Sequence, residues 1–185
     1  RFAQTQMQTT FGVTMLALVN NQTQPKILSL RHMLDEYLAF QEEIITRRTQ
    51  YDLKKALERQ HVLEGLLIAE QNIDEVIKTI RESYDDAKER LMAKFNLSEI
   101  QAQVVLDMQL KRLQGLEREK LQNEYDELEK RIEYYRELLS DENMLKGVLK
   151  DELLAIRDKY GDDRRTKILP FSGEMNVEAL IAEEN

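Results

Sequence analysis

The two histidines come first, because imidazole serves both as a general base and as a metal ligand. A helix running from His32 to His61 would place the two rings about 44 Å apart. They cannot share a metal ion or a catalytic triad, so we interpret each as an exposed or half-buried histidine of a helix. The sequence contains no cysteine, which excludes disulfides, thiolate zinc sites and cysteine nucleophiles.

Acidic residues and glycines give no catalytic motif either. No glycine-rich phosphate loop follows a strand, since Gly12 stands alone in an apolar, β-branched stretch. Several carboxylates are spaced as on a solvated helix face: Glu117, Glu119, Glu124, Glu127 and Glu129. We therefore predict no catalytic, cofactor-binding or metal-binding residue in this chain.

One basic cluster stands out within an acidic chain, and its members are Arg47, Arg48, Lys54, Lys55 and Arg59. The whole chain has 27 Lys and Arg against 35 Asp and Glu, a net charge of −8. This excludes a stand-alone nucleic-acid-binding protein, which needs a basic surface. Two interpretations of the cluster stay open: a solvated helix face, or transient contact with double-stranded DNA through Arg47 and Arg48.

Neither a membrane span nor a signal peptide is predicted. Apolar runs such as Met15 to Val19 fall far short of roughly 20 residues, and the polar start lacks a basic region followed by an apolar core. We expect a cytoplasmic protein without membrane contact. The sequence opens at Arg1 as if in the interior of a chain, so we expect a fragment of a larger protein.

The elements that carry these residues are predicted to be mainly helical. Pro25 and Pro170 are the only prolines, and the interval between them is rich in good helix formers. Within residues 1–28, the stretch from Thr9 to Val19 reads as a strand. Over residues 29–70, Ser29 is the expected N-cap of one long outgoing helix that ends near Ala69.

Three short helices are predicted over residues 71–115. They run from Ile73 to about Glu82, from Asp85 or Asp86 to about Asn96, and from Ser98 to a closing Gly115.

The third of these helices is apolar on two sides. One stripe consists of Leu97, Ile100, Val104 and Met108, and a nearly opposite one of Leu106, Leu110 and Leu113. Two buried faces require two partners, namely the helix's own neighbours and a second chain. We therefore predict a homodimer whose interface comprises Ile100, Val104, Met108 and Leu113.

A heptad seam follows over residues 116–140, and its members are Leu121, Tyr125, Leu128, Ile132, Tyr135 and Leu139. Its simplest partner is the long first helix, running antiparallel. The fold class is then mainly α: a two-helix coiled-coil arm with a small helical dimerisation head and short strands at both chain ends. A hinge is expected where the polar stretch Thr46 to Gln50 meets a break at Ser140.

The remaining residues are assigned to a base and a tail. Ser140 is the predicted cap of a helix from Asp141 to Tyr160, closed by Gly161, and a strand is expected from Arg164 to Leu169; together they form a base over residues 141–169. Residues 170–185 read as an acidic linker.

Particular strings point to a family. Ile45 to Asp74 (ITRRTQYDLKKALERQHVLEGLLIAEQNID), Ala102 to Glu119 (AQVVLDMQLKRLQGLERE) and Tyr160 to Ile168 (YGDDRRTKI) closely resemble the A subunits of bacterial DNA gyrases, which are type IIA topoisomerases. The stretch around Gln24 to Lys26 is similar to the end of their tower domain. The resemblance covers nearly the whole chain, from about Gln4 to Ile168.

This resemblance implies a role in a larger machine. Residues 1–28 would end the tower domain, and the rest would form the arm and the exit gate, or C-gate, of a homodimer that releases a transported DNA duplex. The family's nucleophilic tyrosine follows an arginine, and none of the seven tyrosines here does so. Catalysis, magnesium and ATP would thus act elsewhere in the holoenzyme, which includes the B subunit, and a further domain would follow Asn185.

Three alternatives stay open. Topoisomerase IV shares the same architecture. A structural coiled-coil spacer of a chromosome-organising protein would explain the heptads but not the flanking strands. A free-standing helical enzyme is disfavoured by the lack of a site.

Overall fold

The computed structural model describes residues 11–19, 23–108 and 115–168 of the chain. In these ranges it is mainly helical, as predicted, with two strands and six helices. The chain divides into two compact units, Arg1–Lys150 and Asp151–Asn185. The first contains a hairpin, a long helical arm and a small helical head.

A β-hairpin opens the described part of the chain. Strand β1 (Leu16–Val19) pairs antiparallel with β2 (Gln24–Ile27), with Leu16 opposite Ile27. The predicted strand was too long, since residues 11–15 lie outside β1 and Thr9 lies outside the described residues. Strand β2 was not predicted because it contains Pro25, which a two-stranded ribbon accommodates at its edge.

Helix α1 (Leu30–Gln71) is the longest element, with 42 residues. Ser29 caps it as predicted, because its hydroxyl accepts a hydrogen bond from the His32 amide at 3.3 Å. At 1.5 Å per residue, α1 is about 63 Å long.

Helix α5 (Gly115–Ser140) returns along α1 and completes the arm. Arg59 of α1 pairs with Glu124, whereas Glu70, nearer the end of α1, pairs with Arg118, nearer the start of α5. Residue numbers thus rise on one helix as they fall on the other, so the arm is antiparallel as predicted. Its buried core is formed by Ala56, Leu63, Leu66, Leu128 and Ile132.

Three short helices between α1 and α5 form the head: α2 (Ile73–Glu82), α3 (Ala87–Phe95) and α4 (Glu99–Leu106). Asn96 ends α3 in the left-handed conformation with φ 53°, which asparagine tolerates better than most residues. Together with the end of α1, the head encloses a core of Ala69, Val76, Leu91, Leu97, Ala102 and Val105.

The third head helix ends earlier than predicted. Helix α4 stops at Leu106, and Gly115 is the first residue of α5 rather than the end of α4. The turn after α4 tightens, because the Met108 amide donates to the carbonyl of Val105, only three residues back. The apolar spacing continues past this point, so periodicity alone overestimated the helix length.

Helix α6 (Glu142–Tyr160) follows α5 after one residue. Its cap is Asp141, whose carboxylate accepts from the Asn143 amide at 2.8 Å, and not Ser140, which ends α5. In the first unit, Leu145 and Leu149 are buried.

In the second unit α6 ends at Tyr160, and the following Gly161 donates its amide to the Arg157 carbonyl at 2.7 Å. Residues 161–168 contain no strand, so the predicted C-terminal strand is wrong over its described part. Leu169 and the predicted acidic linker lie outside the described residues.

Candidate functional site

Helix α4 is the candidate site, because the predicted dimer interface lies on it. Ser98 and Gln101 form a capping box: the Ser98 hydroxyl accepts from the Gln101 amide at 3.2 Å, and the Gln101 side-chain oxygen accepts from the Ser98 amide at 2.9 Å. Ala102 and Val105 face the head core. The short helix is thereby fixed at its N-terminus and along one side.

The predicted interface residues fall into different surroundings. Ile100 is 62% exposed, an unusual position for a large apolar side chain. Val104 and Met108 are partly buried against the arm core of their own chain. Leu113 lies outside the described residues. Among the four, Ile100 is the side chain that the structure presents to water, and the interface itself stays a prediction.

The N-terminus of α4 also contacts α1, through a set of polar bonds that sequence reasoning missed. His61 Nε2 lies 2.7 Å from the Ser98 hydroxyl, and Gln101 Nε2 donates to the His61 backbone oxygen at 2.7 Å. The interpretation of His61 as a half-buried helix histidine left out these bonds. The spacing Ser98-x-x-Gln101 is itself a capping-box signal, and it was the available clue to this site.

The predicted seam residues lie along the arm. Leu128 and Ile132 are buried, and Leu121, Tyr125 and Tyr135 pack partly buried against the same core. At the end of α5 the more buried residue is Leu138, 4% exposed, whereas Leu139 is only partly buried.

Charged pairs flank this seam. Arg59 forms a two-pronged bond to the Glu124 carboxylate, at 2.7 and 2.9 Å. That hydrogen bond lowers the pKa of Glu124 below its ordinary value of 4.5. Burial, with help from the nearby Glu64 carboxylate, raises the pKa of Tyr125. Both groups therefore keep the same charge throughout the neutral range.

The basic cluster of α1 is largely matched by carboxylates. Arg47 lies 3.6 Å from Glu43, Lys55 lies 2.8 Å from Glu58, and Arg59 is bound to Glu124. These contacts favour the interpretation of a solvated helix face. The predicted DNA contact through Arg47 and Arg48 stays a prediction.

The expected hinge contains two unusual threonines. The hydroxyls of Thr46 and Thr49 each donate to the carbonyl four residues earlier, Glu42 and Ile45, both at 2.8 Å. Hydrogen bonds of this kind often bend helices. Glu142 chiefly, and Glu42 to a lesser extent, raise the pKa of Lys146. The start of α6 therefore lies near this turn of α1.

In the described ranges, no group of three or more His, Cys, Asp and Glu side chains could hold a metal ion. His32 contacts only the exposed Glu36 carboxylate in the contacts resolved for its ring, at 3.2 Å. Of the helices that the structure describes, none combines the length and apolar character that crossing a membrane requires.

Comparison with known proteins gives a consistent result. The sequence model of one family, the A subunit of DNA gyrase/topoisomerase IV, matches residues 1–154. The DNA gyrase A subunit of Clostridium acetobutylicum is 50% identical over 186 residues, which cover 100% of this chain and 22% of that protein. Those of Deinococcus deserti and Staphylococcus aureus are also 50% identical, over 98% and 99% of this chain. The chain thus spans about a fifth of the length of these curated relatives.

Proposed function

Because this chain belongs to the family of DNA gyrase/topoisomerase IV A subunits, we propose that it forms the arm and the exit gate of a DNA topoisomerase. In this proposal the heads of two identical protomers meet at α4. The closed heads hold the dimer together, and their separation releases a transported DNA duplex.

The exposed Ile100 carries this proposal. It lies on a capped helix in the head, at the end of the arm opposite the β-hairpin, and it presents a large apolar side chain to water. In a two-fold dimer one such patch meets its own copy, so a single exposed residue contributes twice. Apolar contact without buried charge suits an interface that must close and reopen in each cycle.

The size of the head supports a modest interface. Stable specific contacts bury roughly 1,200–2,000 Å² in total. A gate at the lower end of that range would hold two protomers together and still separate without unfolding. The acidic character of the chain, with its net charge of −8, would keep a departing duplex from binding to the arm.

We assign no catalytic step to this chain. DNA cleavage, magnesium binding and ATP hydrolysis are proposed to occur in other parts of the holoenzyme, including the B subunit. The family description names both gyrase and topoisomerase IV, so the same gate in a topoisomerase IV is the second candidate. Identity of 50% to gyrase A subunits over the whole chain favours gyrase and argues against an unrelated coiled-coil spacer.

Sedimentation of this 185-residue chain tests the gate contact. Ile100→Asp should convert dimers into monomers, because it places two carboxylates against each other at the two-fold axis. Ile156→Asp is the matched control, since Ile156 is 55% exposed on α6. It should leave the dimer intact. Dimers that persist in Ile100→Asp, or that dissociate equally in both variants, would rule out this contact.

Val104 and Met108 are less suitable test positions. Both pack against the arm core of their own chain, so a charge there would destabilise the fold as well as any dimer contact. A monomer produced by those substitutions would not distinguish the two effects.

A further inference from the structure

The N-terminus of α4 is tied to α1 by three side chains, His61, Ser98 and Gln101, which we call the clasp. Gln101 Nε2 donates to the His61 carbonyl at 2.7 Å and lies 3.4 Å from His61 Nδ1. The other ring nitrogen, Nε2, lies 2.7 Å from the Ser98 hydroxyl. Since the amide offers a donor to Nδ1, the proton of the neutral ring belongs on Nε2, which then donates to Ser98.

The helices approach closely at the clasp. A Cβ atom added to Gly65 would lie 2.7 Å from both Cβ and Cγ of Gln101, well inside normal contact. Ala69 and Ala102 are fully buried beside this crossing. Small residues on both helices let the backbones approach, and this brings the Gln101 amide within reach of a main-chain carbonyl of α1.

The clasp gives α4 one favoured seat. Gln101 is 6% exposed, and both polar atoms of its side chain are hydrogen-bonded. Sliding or rotating α4 along α1 would leave this buried amide without partners, which is unfavourable. An apolar contact alone would tolerate such movement, because burial is not directional.

We propose that the clasp positions the exit gate, an inference that rests on the proposed function. It fixes α4, and with it Ile100, against α1, so that a movement of the arm moves the gate surface by the same amount. His61, Ser98 and Gln101 are then positioning residues. Without them the head would still fold around its apolar core, but α4 would no longer follow the arm.

Electron spin resonance on the full-length protein, assembled with DNA and the B subunit, tests the first step. Spin labels replace the exposed Lys54 on α1 and Gln103 on α4, on a background without other cysteines. Gln101→Met keeps the side-chain volume but removes the amide, and His61→Phe keeps a ring without nitrogen. Loss of one neutral hydrogen bond should shift α4 about fivefold toward undocked positions, seen as a second distance population.

Two further variants separate the clasp from general destabilisation. Gln122→Met on α5 removes an amide that contacts only Asp126 among the bonds resolved for it, and it should leave a single distance. His61→Gln restores an N–H donor near Ser98 and should recover most of the docked population. If His61→Phe and Gln101→Met both keep the distance of the unmodified protein, the clasp does not hold α4 and the inference is wrong.

The second step is the coupling of ATP use to strand passage. In the clasp variants the number of DNA links changed per ATP should fall by up to the same factor, with restoration in His61→Gln. Undocking of α4 with unchanged coupling would overturn the positioning role.

A cross-link between the two copies of Ile100→Cys reports separately on the proposed function. If it forms while the clasp variants behave like the unmodified protein, only the clasp inference fails. If it does not form in the otherwise unmodified dimer, the gate contact itself is wrong.

Discussion

Two glycines in long helices occupy opposite surroundings. At Gly65 an added Cβ would collide with Gln101, whereas at Gly147, in α6, no atom outside its own helix turn lies within 4 Å. The same substitution should therefore have opposite effects at the two positions.

Gly147→Ala should stabilise the protein by about 0.8–1 kcal/mol, because alanine is the better helix former and meets open space. Gly65→Ala should instead cost about 1–3 kcal/mol, since a side chain forced into a packed crossing moves its neighbours. Urea unfolding of both variants measures the difference. A stabilised Gly65→Ala protein would show that α1 and α4 are not in close contact.

The pair of Arg59 and Glu124 predicts a pH dependence. Because Arg59 lowers the pKa of Glu124 below 4.5 in the folded state, the unfolded chain takes up a proton first as the pH falls. The stabilisation is present above pH 4.5 and is lost as the pH falls through the folded pKa. Both side chains are nearly half exposed, so the effect should be about 0.2–1 kcal/mol.

Urea midpoints between neutral pH and pH 3 test this pair. Glu124→Gln should remove part of the acid destabilisation, and high salt should do the same. Glu129→Gln, an exposed glutamate one turn further along α5, is the control. If both variants change the acid transition equally, the Arg59 pair has no special role.

At the scale of elements, the arm is a helix pair with a built-in weak point. The threonine hydroxyls at Thr46 and Thr49 bond to α1 itself, and the junction between α5 and α6 lies beside them. A continuous helix facing an interrupted one can bend without breaking the seam on either side.

Thr46→Val with Thr49→Val should stiffen this region, because valine keeps the shape of threonine but lacks the hydroxyl that bends the helix. Distances between spin labels at Ala39 and Leu57, on either side, should become less variable. Thr79→Val is the control: it removes an equivalent bond, to the Glu75 carbonyl, in the head. A distribution unchanged by the arm substitutions would place the flexibility elsewhere.

The elements show what the sequence could predict. The caps at Ser29 and Ser98 and the spacing from Leu121 to Tyr135 are local patterns, and they located α1, α4 and the arm core. Strand β2 and the end of α4 depend on tertiary pairing and on a tightened turn. The bonds of His61 to Ser98 and Gln101 join residues almost forty positions apart, which no local pattern reports.

At the scale of the molecule, charge governs the encounter with DNA. The chain has a net charge of −8, and much of its basic cluster is matched by nearby carboxylates. It should bind duplex DNA no more tightly than nonspecific proteins do, at about 10⁻⁴–10⁻⁶ M in physiological salt.

Fluorescence anisotropy over a range of salt tests the contribution of the arm. If Arg47 and Arg48 touch phosphate, replacing both with glutamine should lower the slope of log affinity against log salt by about 2. The same change at Arg164 and Arg165, a second adjacent pair, should leave the slope unaltered. Equal effects from both pairs would mean that the arm makes no specific approach to DNA.

The length of α1 beyond its threonine turn has a mechanical consequence. From Thr49 to Gln71 the helix extends about 33 Å, so each degree of bend displaces its tip by about 0.6 Å. This stretch is a lever: it converts a small angular change into a large travel while the interlocked side chains behind it stay in register. The force needed to part the two tips is correspondingly small at the far end and large at the pivot.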